Sequence, residues 1–172
     1  KIDKTPPAIG ATRTPGNEYG WNNKYVIVRY DANDTLSGID TTAGGFEDDI
    51  INVEGQGLMV KGEDRDLAGN TNSIIIDGVN IDFTKPDIVI SARQPAPNLN
   101  GWNDTYVIVA YAAGDSLSGL DLSKCNLDTD IITKEGKNQS GSGVAVDKAG
   151  NTNTIEINGI SIDKTAPDIT VS

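Results

Sequence analysis

Gly20-Trp21-Asn22-Asn23-Lys24-Tyr25-Val26-Ile27-Val28-Arg29-Tyr30 decides how this chain is read. It returns as Gly101-Trp102-Asn103-Asp104-Thr105-Tyr106-Val107-Ile108-Val109-Ala110-Tyr111. The second half of each stretch is a β-branched and aromatic run of strand length. The offset of 81 residues continues through Leu36-Ser37-Gly38 against Leu117-Ser118-Gly119. It also holds for Asp66-Leu67-Ala68-Gly69-Asn70-Thr71 against Asp147-Lys148-Ala149-Gly150-Asn151-Thr152. A proline-bearing phrase punctuates the copies at Ile2-Asp3-Lys4-Thr5-Pro6-Pro7, Ile81-Asp82-Phe83-Thr84-Lys85-Pro86 and Ile162-Asp163-Lys164-Thr165-Ala166-Pro167. A domain-sized unit repeated head to tail supplies length, presentation or avidity more readily than one composed active site.

Further strand runs surround the quoted one. Ser73–Asp77 and Thr154–Asn158 read as strands, with Ile155 and Ile157 alternating with polar residues. Ala8-Ile9 and Ile88-Val89-Ile90 follow the prolines as first strands. Asp48–Asn52 and Asp128–Thr133 read as short middle strands, and Met59-Val60-Lys61 and Val144-Ala145-Val146 as strands feeding a last hairpin. The 19 glycines and 7 prolines fall almost wholly between these runs, and no stretch of helical period is present. Short strands with turn signals every ten residues or so predict an all-β chain of two tandem antiparallel β-sandwiches. The expected domains are 1–82 and 83–172, with 168–172 opening a further repeat of a longer array.

The bulk numbers narrow the function. Net charge is −11 over 172 residues, with 13 acids and 7 bases in residues 1–80 and 12 and 7 in residues 81–172. An acidity spread over both copies repels phosphates, so nucleic acid is not an expected partner. No apolar run approaches 18 residues, so no membrane insertion is expected. Histidine is absent, which removes the commonest general base. Cys125 is the single cysteine and allows neither a disulfide framework nor a thiolate zinc site.

In their order, Gly-Trp-Asn, Tyr-Val-Ile-Val, Leu-Ser-Gly, Glu-Gly, Asp-x-Ala-Gly-Asn-Thr and Ile-Asp-Lys-Thr-x-Pro resemble the bacterial and archaeal Ig-like repeats of large secreted and cell-surface proteins. The likeness covers almost the whole chain. It implies two tandem Ig-like antiparallel β-sandwiches serving as a non-catalytic stalk, spacer or structural repeat, extracellular or at the cell surface, whose partners are neighbouring repeats of the same chain. The alternative it implies is an adhesive or carbohydrate-binding module that contacts cell-surface glycans or proteins, in some cases appended to a secreted hydrolase. Many such repeats look as if they carry a cysteine pair; Cys125 fits the second position, but Ala113 stands in the first.

One difference between the copies suggests a ligand. Asp31-Ala32-Asn33-Asp34 stands where the second copy has Ala112-Ala113-Gly114-Asp115, and Glu63-Asp64-Arg65-Asp66 where it has Val144-Ala145-Val146-Asp147. Carboxylates gathered in loops repel one another unless a cation compensates, and calcium takes oxygens from such loops. Asp31, Asp34, Glu63, Asp64 and Asp66 are therefore the candidate calcium ligands. With the linker residues Asp3, Asp82 and Asp163, the pattern is similar to the inter-domain calcium sites of cadherins. The opposing reading has these acids solvated and paired with Arg29, Lys61 or Arg65.

Other features carry two readings each. The Asp-x-Ala-Gly-Asn-Thr stretches are hairpin turns by their residue types, or ligand loops. Tyr19, Trp21, Trp102 and Tyr106 either stack on sugar rings or pack at strand edges. Asn33, Asn103 and Asn138 head glycosylation triplets that a chain this rich in Asn, Ser and Thr also produces by chance. The acids Asp48-Asp49 and Asp128/Asp130 read as a solvated edge or as a glycosidase pair.

Overall fold

The computed structural model describes residues 1–42 and 47–170. The chain divides into two units, Lys1–Phe83 and Thr84–Ser172. Among the described residues there is no helix long and apolar enough to cross a membrane.

The first unit is an Ig-like sandwich of two three-stranded sheets. Its strands are β1 (Ala8–Arg13), β2 (Trp21–Asn22), β3 (Val26–Asn33), β4 (Asp49–Ile51), β5 (Gly55–Arg65) and β6 (Thr71–Ile81). One sheet is ordered β1-β3-β4, the other β2-β6-β5. The β1–β3, β3–β4 and β5–β6 ladders are antiparallel, whereas the two-residue strand at Trp21 pairs parallel with β6 at Asn80 and Ile81. The quoted run supplies the centre of the first sheet. Val26 and Val28 alternate inward and are fully buried, and they meet Ile51, Val79 and Ile81 in the core. Burial of such side chains is the main favourable term, at about 1.5–3 kcal/mol each.

The second unit repeats the plan. Its strands are β7 (Asp87–Gln94), β8 (Trp102–Asn103), β9 (Val107–Gly114), β10 (Asp130–Ile132), β11 (Gly136–Val146) and β12 (Thr152–Ile162), in sheets ordered β10-β9-β7 and β11-β12-β8. Val107, Val109, Tyr111, Ile160 and Ile162 form its core.

The last hairpin departs from expectation. The runs around Met59 and Val144 belong to strands of 11 residues, as do their partners β6 and β12. Glycines that read as turn residues lie inside these strands. Two register shifts fall in β5, at Gly55–Leu58 and Leu58–Val60, and Gly57, with a left-handed φ of 69°, sits within the first. The second unit has Asn138 in that place, at φ 55°, and asparagine is among the side chains that tolerate this conformation best. Gly62 serves a different need: a Cβ there would lie 2.5 Å from Cε1 of Tyr30. That ring lies across β5, and its hydroxyl donates to Asp49 Oδ2 at 2.6 Å. Tyr111 donates to Asp130 Oδ2 in the same way at 2.7 Å.

The expected strand at 168–172 is not present at Asp168–Thr170, and Val171 and Ser172 lie outside the described residues. Gly44, which aligns with Cys125, is also outside them.

Candidate metal centre

The loop from Asp34 to Asp40 and the hairpin at Asp66 meet at one end of the first unit. Each is built around an aspartate. Asp34 Oδ1 accepts from Leu36 N at 3.0 Å, Ser37 N at 2.8 Å, Gly38 N at 2.8 Å and the Ser37 hydroxyl at 3.3 Å. Asp66 Oδ1 accepts from Ala68 N and Asn70 N at 2.9 and 2.8 Å, and its Oδ2 from Asn70 Nδ2 at 2.7 Å. The loops are clipped together by Leu67 N donating to Gly38 O at 2.9 Å and by the bridge between Ile39 and Asp66.

The linker phrase enters the same place. Asn70 Nδ2 also reaches Asp3 O and Thr5 O, both at 3.4 Å, and Asn72 Nδ2 donates to Pro7 O at 2.8 Å. Threaded this way, Asp3 brings its carboxylate to the other two. One oxygen from each of Asp3, Asp34 and Asp66 lies within 4.8 Å of the others.

The electrostatics keep Asp34 and Asp66 charged. The Gly38 N–H, with those of Ser37 and Leu36, holds the Asp34 carboxyl below the usual range against the cost of desolvation. Burial pushes Asp66 up, and so does the charge of Asp34. The Asn70 side-chain amide and the N–H groups of Asn70 and Ala68 outweigh both and lower it. Asp66 is 1% exposed. Asp3 Oδ1 accepts from Thr5 N at 3.0 Å, while its Oδ2 is sealed from solvent and no hydrogen-bond donor reaches it.

Of the five candidate calcium ligands, the structure brings Asp34 and Asp66 together, beside the linker residue Asp3. Asp31, Glu63 and Asp64 lie outside the trio. Asp31 is exposed on β3, its carboxylate folded over Gly10, where a Cβ would come within 2.5 Å. Glu63 is on the edge strand β5 in an exposed ion pair with Lys61. Asp64 is buried and accepts from the N–H of Arg65 at 2.7 Å. Arg29 pairs with Asp48 at 3.3 Å, and Arg65 with Asp40 at 2.6 Å. Asp31, Glu63 and Asp64 are the candidates that differ between the copies. The clustered loop acids are the ones both copies keep, and Asp115 and Asp147 likewise bring carboxylate oxygens within 4.8 Å of each other in the second unit.

The remaining candidates separate by exposure. Trp21 is buried beside β6, and Trp102 is half-buried with Lys137 Nζ 5.6 Å from its ring centre. Tyr25 and Tyr106 occupy equivalent positions and are about half exposed. Tyr19 is exposed. Cys125 is half-buried, its Sγ 3.3 Å from Val146 N. Of the three glycosylation candidates, Asn103 is buried, Asn33 is exposed and Asn138 lies in the β11 bulge.

No family model, no curated protein and no solved structure matches this chain.

Proposed function

We propose that this chain is a non-catalytic structural segment of an extracellular or surface protein, a spacer built of tandem Ig-like units of the kind its motifs resemble in bacteria and archaea. The observation that carries the reading is how each unit grips its linker phrases. In the first unit, Asn70 and Asn72 hold the incoming phrase at Thr5 and Pro7, and Glu54 Oε1 accepts from Phe83 N in the outgoing one. In the second, Asn151 and Asn153 hold Thr84 O and Pro86 O at 3.1 and 2.9 Å, and Glu135 Oε1 accepts from Lys164 N at 2.7 Å. Backbone on either side of residues 83 and 84 is thus bonded into its own unit. Prolines fix φ within these phrases, and each unit binds its own side of the phrase through backbone hydrogen bonds. Neighbouring repeats of the same chain are the partners this device serves.

Small-angle scattering on the chain tests it. A spacer gives an elongated particle whose pair-distance distribution has a long tail. The double variant Asn151→Ala/Asn153→Ala then broadens that distribution without unfolding either unit. A compact distribution, or one the double variant leaves unchanged, sinks the reading.

A second reading has one observation in its favour. Tyr25 and Tyr106 present half-exposed rings at the same place in both units, and Tyr106 lines a shallow depression with Pro95 and Ile108. Planar amphipathic rings suit sugar faces. An adhesive or carbohydrate-binding module would show glycan-array binding that Tyr106→Ala abolishes.

A further inference from the structure

We propose that Asn138 is an N-glycosylation site, whose side-chain amide accepts a glycan delivered on a lipid phosphate. The proposal rests on the surface reading above, because an Asn-x-Ser/Thr triplet is an acceptor only in exported proteins. The structure separates the three triplets. Asn103 is 3% exposed; its Nδ2 donates to Pro95 O at 3.2 Å and Ala96 O at 3.1 Å, and its Oδ1 accepts from Arg93 Nη2 at 3.1 Å. Its amide is buried and committed. Asn33 is exposed, but it is laddered to Ala8, and the next residue, Asp34, holds the N–H groups of Leu36, Ser37 and Gly38. An enzyme that grips the whole triplet would have to break that loop.

Asn138-Gln139-Ser140 is open. Asn138 and Ser140 are both exposed, and among the described residues no hydrogen bond engages either side chain. The triplet lies on β11, at the edge of its sheet. The ladder to β12 shifts register on both sides of Gln139, which alone of the three keeps a partner, Ile160. The Gln139 side chain turns back to Lys134 O at 2.8 Å and Gly136 O at 3.4 Å. Asn138, at φ 55°, therefore stands on a projecting bulge with its amide free.

The first unit supplies a second argument. It has Gly57 and Met59 at these places, hence no acceptor, and its β5 carries Lys61, Glu63 and Arg65 where β11 has Ser142, Val144 and Val146. The outer edge of β11 is covered from Ser142 onward. Ser142 N donates to Asp130 Oδ2 at 3.0 Å, and Val144 bridges to Asn126. The stretch from Asn138 to Gly141 carries no charge, and among the described residues no such bond covers its outer edge. A glycan is bulky and solubilising, and on Asn138 it shields that uncovered edge. In the transfer, the Asn138 amide nitrogen attacks C1 of the first sugar. The C1–N bond forms as the C1–O bond breaks, the lipid phosphate leaves with the bonding pair, and the nitrogen gives up one proton. The cell supplies the lipid-borne donor and the transferase.

The test is peptide mapping by mass spectrometry on the chain isolated from the cells that make it, after those cells are labelled with an amine reagent that does not cross membranes. A sugar mass is expected on the peptide holding Asn138 and on neither peptide holding Asn33 or Asn103. Ser140→Ala, made in the same cells, loses that mass and melts with the enzymatically deglycosylated parent, whereas Ser140→Thr keeps it. A bare Asn138 on a surface-labelled chain overturns the site and spares the surface reading. A bare Asn138 on a chain that the reagent does not reach overturns both. A sugar mass that persists in Ser140→Ala, or that sits on Asn33 or Asn103 instead, overturns the assignment as well.

Discussion

Asp40 shows how much one carboxylate does in a loop-rich fold. Its Oδ1 accepts from the Thr42 hydroxyl at 2.6 Å and its Oδ2 from Arg65 Nη2 at 2.6 Å. These bonds, that of Thr42 first, hold its carboxyl down at about 2. In the unfolded chain the same group titrates near about 3.9. The unfolded state therefore takes up the proton first, and the stabilisation is present above about pH 4 and lost as the pH falls towards 2. Melting temperatures recorded from pH 6 to pH 2 should drop over that lower interval, and Asp40→Asn should flatten the drop. A parallel profile in the variant would contradict the account. Tyr30 shifts the other way, with burial and then Asp49 pushing its hydroxyl up to about 12, so it remains the donor across the working range.

Also at this scale, Gly62→Ala should destabilise the first unit by about 1–3 kcal/mol, because its methyl would meet an aromatic ring fixed by packing and a hydrogen bond. Denaturant melts measure it. Asp34 and Asp66 could be picked out from sequence as candidates, since Asp in a turn beside Gly and Asn is an oxygen-rich loop. Asp3 could be named only as one of three linker acids, without its place beside this pair. Its approach depends on Asn70 and Asn72 bonding to linker backbone some 65 residues away in sequence, and no local pattern announces such a bond.

Among the elements, the quoted Val-Ile-Val runs were legible because burial on one face imposes a period of two. The lengths of β5 and β6 were not, because glycine is a turn signal in sequence and can be a bulge in a strand. The bulge gives a comparison inside one molecule. Gly57→Ala puts a Cβ at φ 69° and should cost about 1 kcal/mol, whereas Asn138→Gly at the equivalent place should be neutral to slightly stabilising. Equal losses at both positions, in denaturant melts, would mean that the bulges are not equivalent. The two-residue strands at Trp21 and Trp102 were also missed, since two residues carry no period. Their backbone is set by Asn17 and Asn98, whose Oδ1 atoms accept from the tryptophan N–H at 3.1 and 3.0 Å.

For the whole molecule, the duplicated motifs announced the number of units, and each unit has a separate core of five buried residues. Val28→Ala should lower the calorimetric transition of the first unit by about 2 kcal/mol and leave that of the second in place. Movement of both transitions together would show that the cores are energetically one. Two near-copies in one chain also run a hazard during synthesis. A Tyr-Val-Ile-Val segment released early could pair with its twin, or with the same segment on a neighbouring polypeptide. The sheet borders are unhelpful to such mispairing. β2 and β4 are two and three residues long, and β5 is bent by bulges and carries Lys61, Glu63 and Arg65 where β11 has Ser142, Val144 and Val146. The charges that set β5 apart from its counterpart thus act as a guard against cross-seeded aggregates.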